Sequence, residues 1–217
     1  MKAIGHYLYK MSNYYHNENS MRPVKRHEAG KALQKLGPFR LKDALKAGLS
    51  QATLMRMVAG EEILKVGRGL YLHPDSHLDP TVRDFAVACA KMGKKAAIGG
   101  MTALFHYGLI EQVPNQIWVL VPFYKKTTDP FYRCIRTRSP CTVGVEDHGA
   151  YKITTLDRSI VEAFRYQTKL GLRTAVQAAK RALKGGLTTE AKIFKVAKEM
   201  KYQNHLHRYW EAVIAPA

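Results

Sequence analysis

The N-terminal third of the chain alternates helical runs with short breaks. Apolar residues at three- and four-residue spacing predict a helix over Lys25–Leu36 and a short helix over Leu41–Lys46. Gly48 ends the second run, and Ser50 stands where an N-cap belongs, before a third helix over Gln51–Val58. Three short helices are therefore predicted in close succession.

Two β-rich runs follow these helices. Residues 63–66 and 70–72 flank Gly67-Arg68-Gly69, a spacing that indicates a β-hairpin. Three helices and a hairpin form the element order of a winged helix-turn-helix domain, which we place at residues 22–75. Residues 1–21 lack clear periodicity and are predicted to be an N-terminal arm. The segment His73–Pro80 holds two prolines and two aspartates, which indicate a domain boundary.

The remainder, residues 80–217, mixes helical and strand patterns. Helices are predicted over Thr81–Met92 and from Gly99 to about Gly108. Strands are predicted at residues 117–121, 134–138, 142–145 and 151–154, and four helices follow from Leu156 to the end. The expected fold class is α+β: a winged helix-turn-helix domain followed by a mixed α/β domain that ends in four helices.

The net charge indicates a class of partner. The 217 residues include 35 Lys and Arg against 17 Asp and Glu, a formal charge of +18. Such a charge raises encounter rates with polyanions, so nucleic acid is the first partner to consider and an acidic protein the second. No apolar run approaches the ~18–20 residues of a membrane span and no signal-peptide core is visible, so we expect a cytoplasmic protein without a membrane partner.

The third helix carries the predicted DNA contacts. Its Leu54, Met57 and Val58 are expected to pack inward, which turns Arg56 outward. The Arg56 guanidinium can pair with guanine and the Gln51 amide with adenine. The basic side chains of the preceding helix and of the hairpin are placed to contact phosphates, and Ser50 lies at the N-terminal end of the third helix. The predicted DNA-binding residues are Arg40, Lys42, Ser50, Gln51, Thr53, Arg56, Lys65 and Arg68. The competing interpretation is a solvated face, or a winged helix that contacts protein.

Three blocks of sequence resemble the AbiEi-type antitoxins of bacterial toxin–antitoxin and phage abortive-infection modules. They are LKDALKAGLSQATLMRMVAGEEILKVGRGLYL (41–72), MTALFHYGL (101–109) with PNQIWVLVP (114–122), and TLDRSIVEAFRYQTKLGL (155–172). The resemblance implies a type IV-like antitoxin that represses its own promoter at an inverted repeat. It also implies a C-terminal domain that counters an AbiEii-type, nucleotidyltransferase-like toxin, directly or functionally, and no catalytic residues. The N-terminal arm departs from the family pattern.

The C-terminal helices hold much of the positive charge. Between residues 165 and 208 there are eleven Lys and Arg against two acidic residues. We expect Leu172, Val176, Ala179 and Leu183 to form the buried stripe of one helix. The predicted toxin- or polyanion-facing surface comprises Arg173, Lys180, Arg181, Lys184, Lys192, Lys195 and Lys198. Operator phosphates, an acidic toxin face and the toxin's RNA substrate all remain candidates, beside a merely solvated surface.

Catalytic chemistry finds little support in the sequence. The carboxylates Asp84, Glu146, Asp147, Asp157 and Glu162 lack a metal-binding spacing, and Cys89, Cys134 and Cys141 form no CxxC pair. We therefore predict no catalytic residue, metal or cofactor. A ligand-responsive helix-turn-helix regulator without a toxin partner is the main alternative, and a nuclease-like or RNA-modifying enzyme is another. A downstream gene for a nucleotidyltransferase-like protein would favour the antitoxin.

Overall fold

The computed structural model describes residues 23–139 and 141–215, so the predicted arm at 1–21 lies outside the described residues. The fold is mixed α+β, with 50% helix, 15% strand, and ten helices and two sheets in the described residues. The chain divides into two compact units, with the division between Lys91 and Met92. Nowhere in the described ranges is a helix both long and apolar enough to cross a membrane.

Unit 1, the residues up to Lys91, is built from short helices and a small sheet. Its elements in chain order are α1 (Pro23–Leu36), β1 (Phe39–Arg40), α2 (Leu41–Lys46), α3 (Gln51–Ala59), β2 (Leu64–Gly67), β3 (Leu70–Leu72) and α4 (Pro80–Met92, whose last residue belongs to unit 2). The sheet has the order β1-β3-β2 with antiparallel neighbours. The three predicted helices and the hairpin are confirmed to within about two residues at each end.

An apolar cluster joins helices and sheet of this unit. Leu33 from α1, Leu54 from α3 and Ile63 beside β2 are at most 1% exposed, and Phe39 packs its ring 5.9 Å from that of Tyr71. Burial of each large side chain contributes about 1.5–3 kcal/mol. The helices α1 and α3 therefore turn their inner faces toward the sheet and leave their polar faces to solvent.

Unit 2, from Met92 onward, contains a five-stranded sheet of order β6-β5-β4-β8-β7. The strands are β4 (Ala97–Ile98), β5 (Ile117–Pro122), β6 (Tyr132–Thr137), β7 (Val145–Asp147) and β8 (Lys152–Thr154). The pairs β5–β6 and β4–β8 are parallel, and the pairs β4–β5 and β7–β8 are antiparallel. The ends of β5 and β6 therefore lie at the same edge as the starts of β4 and β8.

The helices of unit 2 gather around one buried helix. They are α5 (Gly100–His106), α6 (Leu156–Arg165), α7 (Gln167–Leu170), α8 (Leu172–Lys184), α9 (Glu190–Glu199) and α10 (Gln203–Ile214). Every residue of α6 from Arg158 to Phe164 is buried, and α5, α8, α9 and α10 all pack against it. Five helices follow β8 in the described residues, so the prediction of four is wrong: the short α7 lacks enough residues to show a period.

Two strand predictions also need correction. Residues 142–144 form a turn and the strand starts only at Val145, because Gly144 adopts φ +56°. The two-residue strand β4 was not predicted, since Ala97-Ile98 is too short to display alternation. It is nevertheless central in the sheet, and Gly100 just after it lies so close to Trp118 and Ile135 that an added Cβ would meet both at 2.6 Å.

Candidate nucleic-acid interface

The turn between α2 and α3 fixes the start of α3. Gly48 adopts φ +90°, a conformation that suits glycine, and the neighbouring Leu49 is buried. The Ser50 hydroxyl accepts a hydrogen bond from the Thr53 N–H at 3.1 Å and lies 2.9 Å from the Thr53 hydroxyl. Ser50 is thus a helix cap, which orients α3, and its hydroxyl and that of Thr53 are engaged with each other.

The two faces of α3 differ sharply. Leu54 and Met57 are buried and Val58 is half-buried, which matches the inward face expected from the sequence. Gln51, Ala52, Met55 and Arg56 are exposed. This helix therefore presents an amide, a guanidinium and an apolar side chain to solvent on one side while its other side is fixed in the core.

The flanking basic residues are less uniform than the sequence indicates. Lys42 on α2 is exposed, whereas the Arg40 guanidinium donates to the carbonyl of Ala90 at 3.3 Å. The Arg40 backbone N–H also donates to the Asp43 carboxylate at 2.9 Å, which caps α2. Arg40 thus has an evident structural role within unit 1, beside any contact with phosphate.

The hairpin presents the other two predicted contacts. Lys65 on β2 pairs in register with Tyr71 on β3 and is exposed. Arg68 is exposed in the turn between the two strands, and Gly69 beside it adopts φ +62°. The tip of this hairpin is therefore a narrow turn that carries one long cationic side chain.

In unit 2 the predicted basic surface divides into two groups. Arg173, Lys184, Lys192, Lys195 and Lys198 are exposed on α8 and α9. Two others make contacts within the unit: Lys180 Nζ donates to the Ala215 carbonyl at 2.9 Å, and the Arg181 guanidinium pairs with Glu111 at 2.7 Å. Because of these contacts, Lys180 and Arg181 are weaker candidates for an external partner than the five exposed side chains.

The buried stripe of α8 differs from the expected one. The stripe consists of Ala175, Ala178, Ala179 and Ala182, each 0% exposed, whereas Leu172 is 40% exposed and the side chains of Val176 and Leu183 are only half-buried. Of the expected stripe, Ala179 is buried as predicted, whereas its three larger members are not. The helix instead packs its smallest side chains against its neighbours, and the leucines lie at the margins.

A basic cavity at one edge of the five-stranded sheet was not predicted. It measures about 660 Å³ and opens where β5 and β6 end and β4 and β8 begin. Its lining comprises Lys94, Lys95, Pro122, Thr137, Arg138, Ser139, Cys141, Thr142, Val145, Asp147 and Lys152. The adjacent lysines 94 and 95 and Arg138, the last arginine of RCIRTR (133–138), were the available signals, but they reach one cavity only through the antiparallel pairing of β4 with β5 and the parallel pairing of β5 with β6.

The core of unit 2 contains an ion pair fully removed from water. Arg158 Nε donates to Glu162 Oε1 at 3.0 Å and both side chains are 0% exposed. The same guanidinium donates to the Val143 carbonyl. Burial raises the pKa of the Glu162 carboxyl, and the charge of Arg158 opposes that rise. The pair joins one turn of α6 to the loop before β7, which indicates a structural role.

The described residues hold no group of three or more His, Cys, Asp or Glu side chains that could bind a metal ion. Of the carboxylates considered for catalysis, Asp157 accepts a hydrogen bond from the Thr188 hydroxyl and Glu146 pairs with His148 at 3.5 Å. Comparison of the sequence with models of known protein families finds no match, and a search among curated proteins finds none.

Proposed function

We propose that this protein is a DNA-binding antitoxin of a toxin–antitoxin module. Unit 1 acts as a winged helix-turn-helix that represses the module's own promoter, and unit 2 neutralises a nucleotidyltransferase-like toxin. The order of elements from α1 to β3 and the antiparallel β1-β3-β2 sheet support the first part. The resemblance of the three sequence blocks to AbiEi-type antitoxins supports the second.

The outer face of α3 carries the DNA proposal. The face opposite the core exposes Gln51 and Arg56, which have the donor patterns that suit adenine and guanine edges in the major groove. The burial of Leu54 and Met57 fixes which side of the helix would meet the groove. Lys42 on the preceding helix, together with Lys65 and Arg68 on the hairpin, would contact phosphates.

The DNA proposal is tested by gel shifts with the gene's own promoter. Arg56→Ala removes a base contact of about 1–3 kcal/mol without touching the core, so binding to the operator should weaken about 5- to 150-fold. Lys31→Ala is the matched control, because Lys31 is exposed on α1, outside the proposed interface. Equal losses in both variants, or none in Arg56→Ala, would show that α3 does not contact bases.

Phosphate contacts have a different signature in the same assay. Lys65→Ala and Arg68→Ala should weaken binding to operator and unrelated DNA alike. Each should also reduce the slope of the logarithm of the binding constant against the logarithm of the salt concentration by about one. An effect restricted to the operator would instead assign a base contact to the hairpin.

The toxin-neutralising part is tested by growth. Lys192 and Lys195 are exposed on α9, so Lys192→Glu with Lys195→Glu reverses charge without disturbing the core. We expect the double variant, expressed with the toxin from an independent promoter, to lose rescue. Lys31→Glu with Lys35→Glu applies the same change to α1 and should keep rescue. Rescue by both double variants would leave the α9 lysines as a solvated face.

One observation favours a second candidate function, a ligand-responsive regulator without a toxin partner. The cavity of about 660 Å³ in unit 2 has the size of a small-molecule site. A toxic neighbouring gene whose effect this protein suppresses would support the antitoxin. Operator binding that changes with a small molecule, in the absence of such a gene, would support the regulator.

A further inference from the structure

The cavity of unit 2 collects cations from separate parts of the chain. Lys94 and Lys95 precede β4, Arg138 follows β6, and Lys152 starts β8. One carboxylate, that of Asp147, shares the lining with these four cations. Since cations in a concave, partly apolar wall concentrate their field in the cavity, the site attracts anions more strongly than the same charges on an open surface.

The ion pairs around the cavity leave most of this charge available. Lys152 pairs with Asp147 at 3.1 Å, so these two charges largely offset one another. In the part of the chain that the structure describes, no carboxylate forms an ion pair with Lys94, Lys95 or Arg138. Among the described residues, Lys94, Lys95 and Arg138 therefore line the cavity without an ion pair to a carboxylate.

Two contacts restrict polar side chains that line the cavity. The Arg138 guanidinium lies 4.6 Å from the centroid of the Phe123 ring, a cation–π contact that restricts the arginine side chain. Arg165 donates to the Ser139 hydroxyl oxygen at 2.8 Å, which leaves the hydroxyl hydrogen to donate elsewhere. Groups held in place before binding lose less entropy when they bind.

We propose that this cavity binds the terminal phosphate group of a nucleotide, with Lys94, Lys95 and Arg138 as its cationic ligands. A guanidinium fork and two ammonium groups match the several acceptor oxygens of a terminal phosphate. The volume lies within the ~300–1,000 Å³ of small-molecule sites. Such a phosphate belongs either to a free nucleotide or to the phosphorylated end of a nucleic acid strand. The proposal stands apart from the DNA contacts of unit 1 and from the toxin partner.

Binding is measured by titration calorimetry of the full chain at physiological salt, which suppresses weak surface attraction. The probes are ATP, inorganic tripolyphosphate, and one short single-stranded oligonucleotide prepared with and without a 5′-phosphate. Strong binding of ATP and tripolyphosphate identifies a free nucleotide as the source. Preference for the phosphorylated over the unphosphorylated oligonucleotide, without binding of ATP, identifies a strand end.

Variants locate the site. Lys95→Ala and Arg138→Gln should each lower the affinity for the probe that binds by about tenfold or more, because each removes a charge-assisted contact. Lys95 and Arg138 are exposed, so folding should persist. Lys31→Ala removes the same kind of charge from α1, outside the cavity and outside the predicted basic surface of α8 and α9, and should bind like the parent.

A thiol footprint supplies an independent measurement. Cys141 lines the cavity, whereas Cys134 lies outside the lining and serves as an internal reference in the same sample. Burial raises the pKa of the Cys141 thiol, so alkylation is followed at about pH 8.5. The bound probe should slow alkylation of Cys141 and leave that of Cys134 unchanged.

Three results would overturn the proposal. The first is no binding of any probe, and the second is equal binding by the parent and both cavity variants. The third is equal affinity for the two oligonucleotides without protection of Cys141, which would show a general polyanion surface. None of these results would bear on operator binding by Arg56, so the two proposals can fail separately.

Discussion

Asp84 on α4 is expected to destabilise the protein near neutral pH. Its carboxyl is largely enclosed, and burial raises its pKa from 3.8 to about 6. The neighbouring Arg83 lowers the pKa only partly, and the guanidinium of Arg83 donates to the Ser76 carbonyl at 3.3 Å. Asp84→Asn keeps the size of the side chain and removes the ionisation.

The direction of the pH effect follows from the raised pKa. Well below the unfolded pKa of 3.8 the carboxyl is protonated in both the folded and the unfolded chain, so its ionisation has no effect on stability. Between about pH 4 and 6 the unfolded chain loses the proton first, and the folded state becomes less stable as the pH rises. Above about pH 6 the full cost is present.

The magnitude has an upper bound set by the pKa difference. A shift from 3.8 to about 6 corresponds to at most about 3 kcal/mol, at ~1.36 kcal/mol per pH unit. The side chain keeps some contact with water, so solvent screening reduces the cost to about 1–2 kcal/mol. We expect Asp84→Asn to stabilise unit 1 by that amount at about pH 7 and to have little effect at about pH 4.

Hydrogen exchange is the suitable assay. Both tryptophans, Trp118 and Trp210, lie in unit 2, so tryptophan fluorescence does not monitor unit 1 directly. The slowest amides of α1 and α3 are compared between the variant and the parent at equal pH, which cancels the intrinsic exchange rates. Asp79→Asn is the control: the pKa of the exposed Asp79 is lowered, first by the Thr81 backbone N–H, so its pH effect should have the opposite sign.

This prediction would be refuted if the difference in stability between Asp84→Asn and the parent stayed constant from about pH 4 to pH 7. Such a result would mean that Asp84 ionises equally in the folded and unfolded chain. A variant that is less stable than its parent at neutral pH would also contradict it, because the charged carboxyl would then be stabilising.

Three further predictions concern unit 2, where the tryptophan fluorescence of urea unfolding is informative. Gly100→Ala should lower the free energy of unfolding by about 2–4 kcal/mol, because Gly100 has φ +53° and an added Cβ would lie 2.6 Å from Trp118. A smaller loss would indicate a loosely packed core. Glu162→Leu should lower the free energy of unfolding by about 3–5 kcal/mol, because it breaks the ion pair of the buried Arg158. The double variant Glu162→Leu with Arg158→Met should recover most of that stability. Phe164→Ala, at a site 0% exposed, should lose about 3–5 kcal/mol, and a loss below about 1 kcal/mol would contradict its place in the core.

Local sequence signals are sufficient for much of unit 1. The C-terminal end of α2 and the N-terminal end of α3 follow from Gly48 and Ser50, because the backbone preference of glycine and the capping preference of serine act within a few residues. These elements could be predicted because their causes are close in sequence.

The cavity of unit 2 could not be predicted in the same way. Lys94 and Lys152 are far apart in sequence and become neighbours through β4 and β8, which pair in parallel. β4 has two residues, so no periodicity identifies it. The buried Arg158–Glu162 pair was missed for another reason: charged residues four apart on a helix are usually solvated, and only the packing around α6 removes these two from water.

The alanine stripe of α8 separates two kinds of constraint on the same helix. Ala175, Ala178, Ala179 and Ala182 hold α8 in place by their small volume, so a larger residue at any of them would push the helix away from its neighbours. Arg173 and Lys184 on the exposed side bear no such restriction. Substitutions on that side can therefore accumulate at little cost to folding, so the outer surface of α8 can change while the helix keeps its place in the fold.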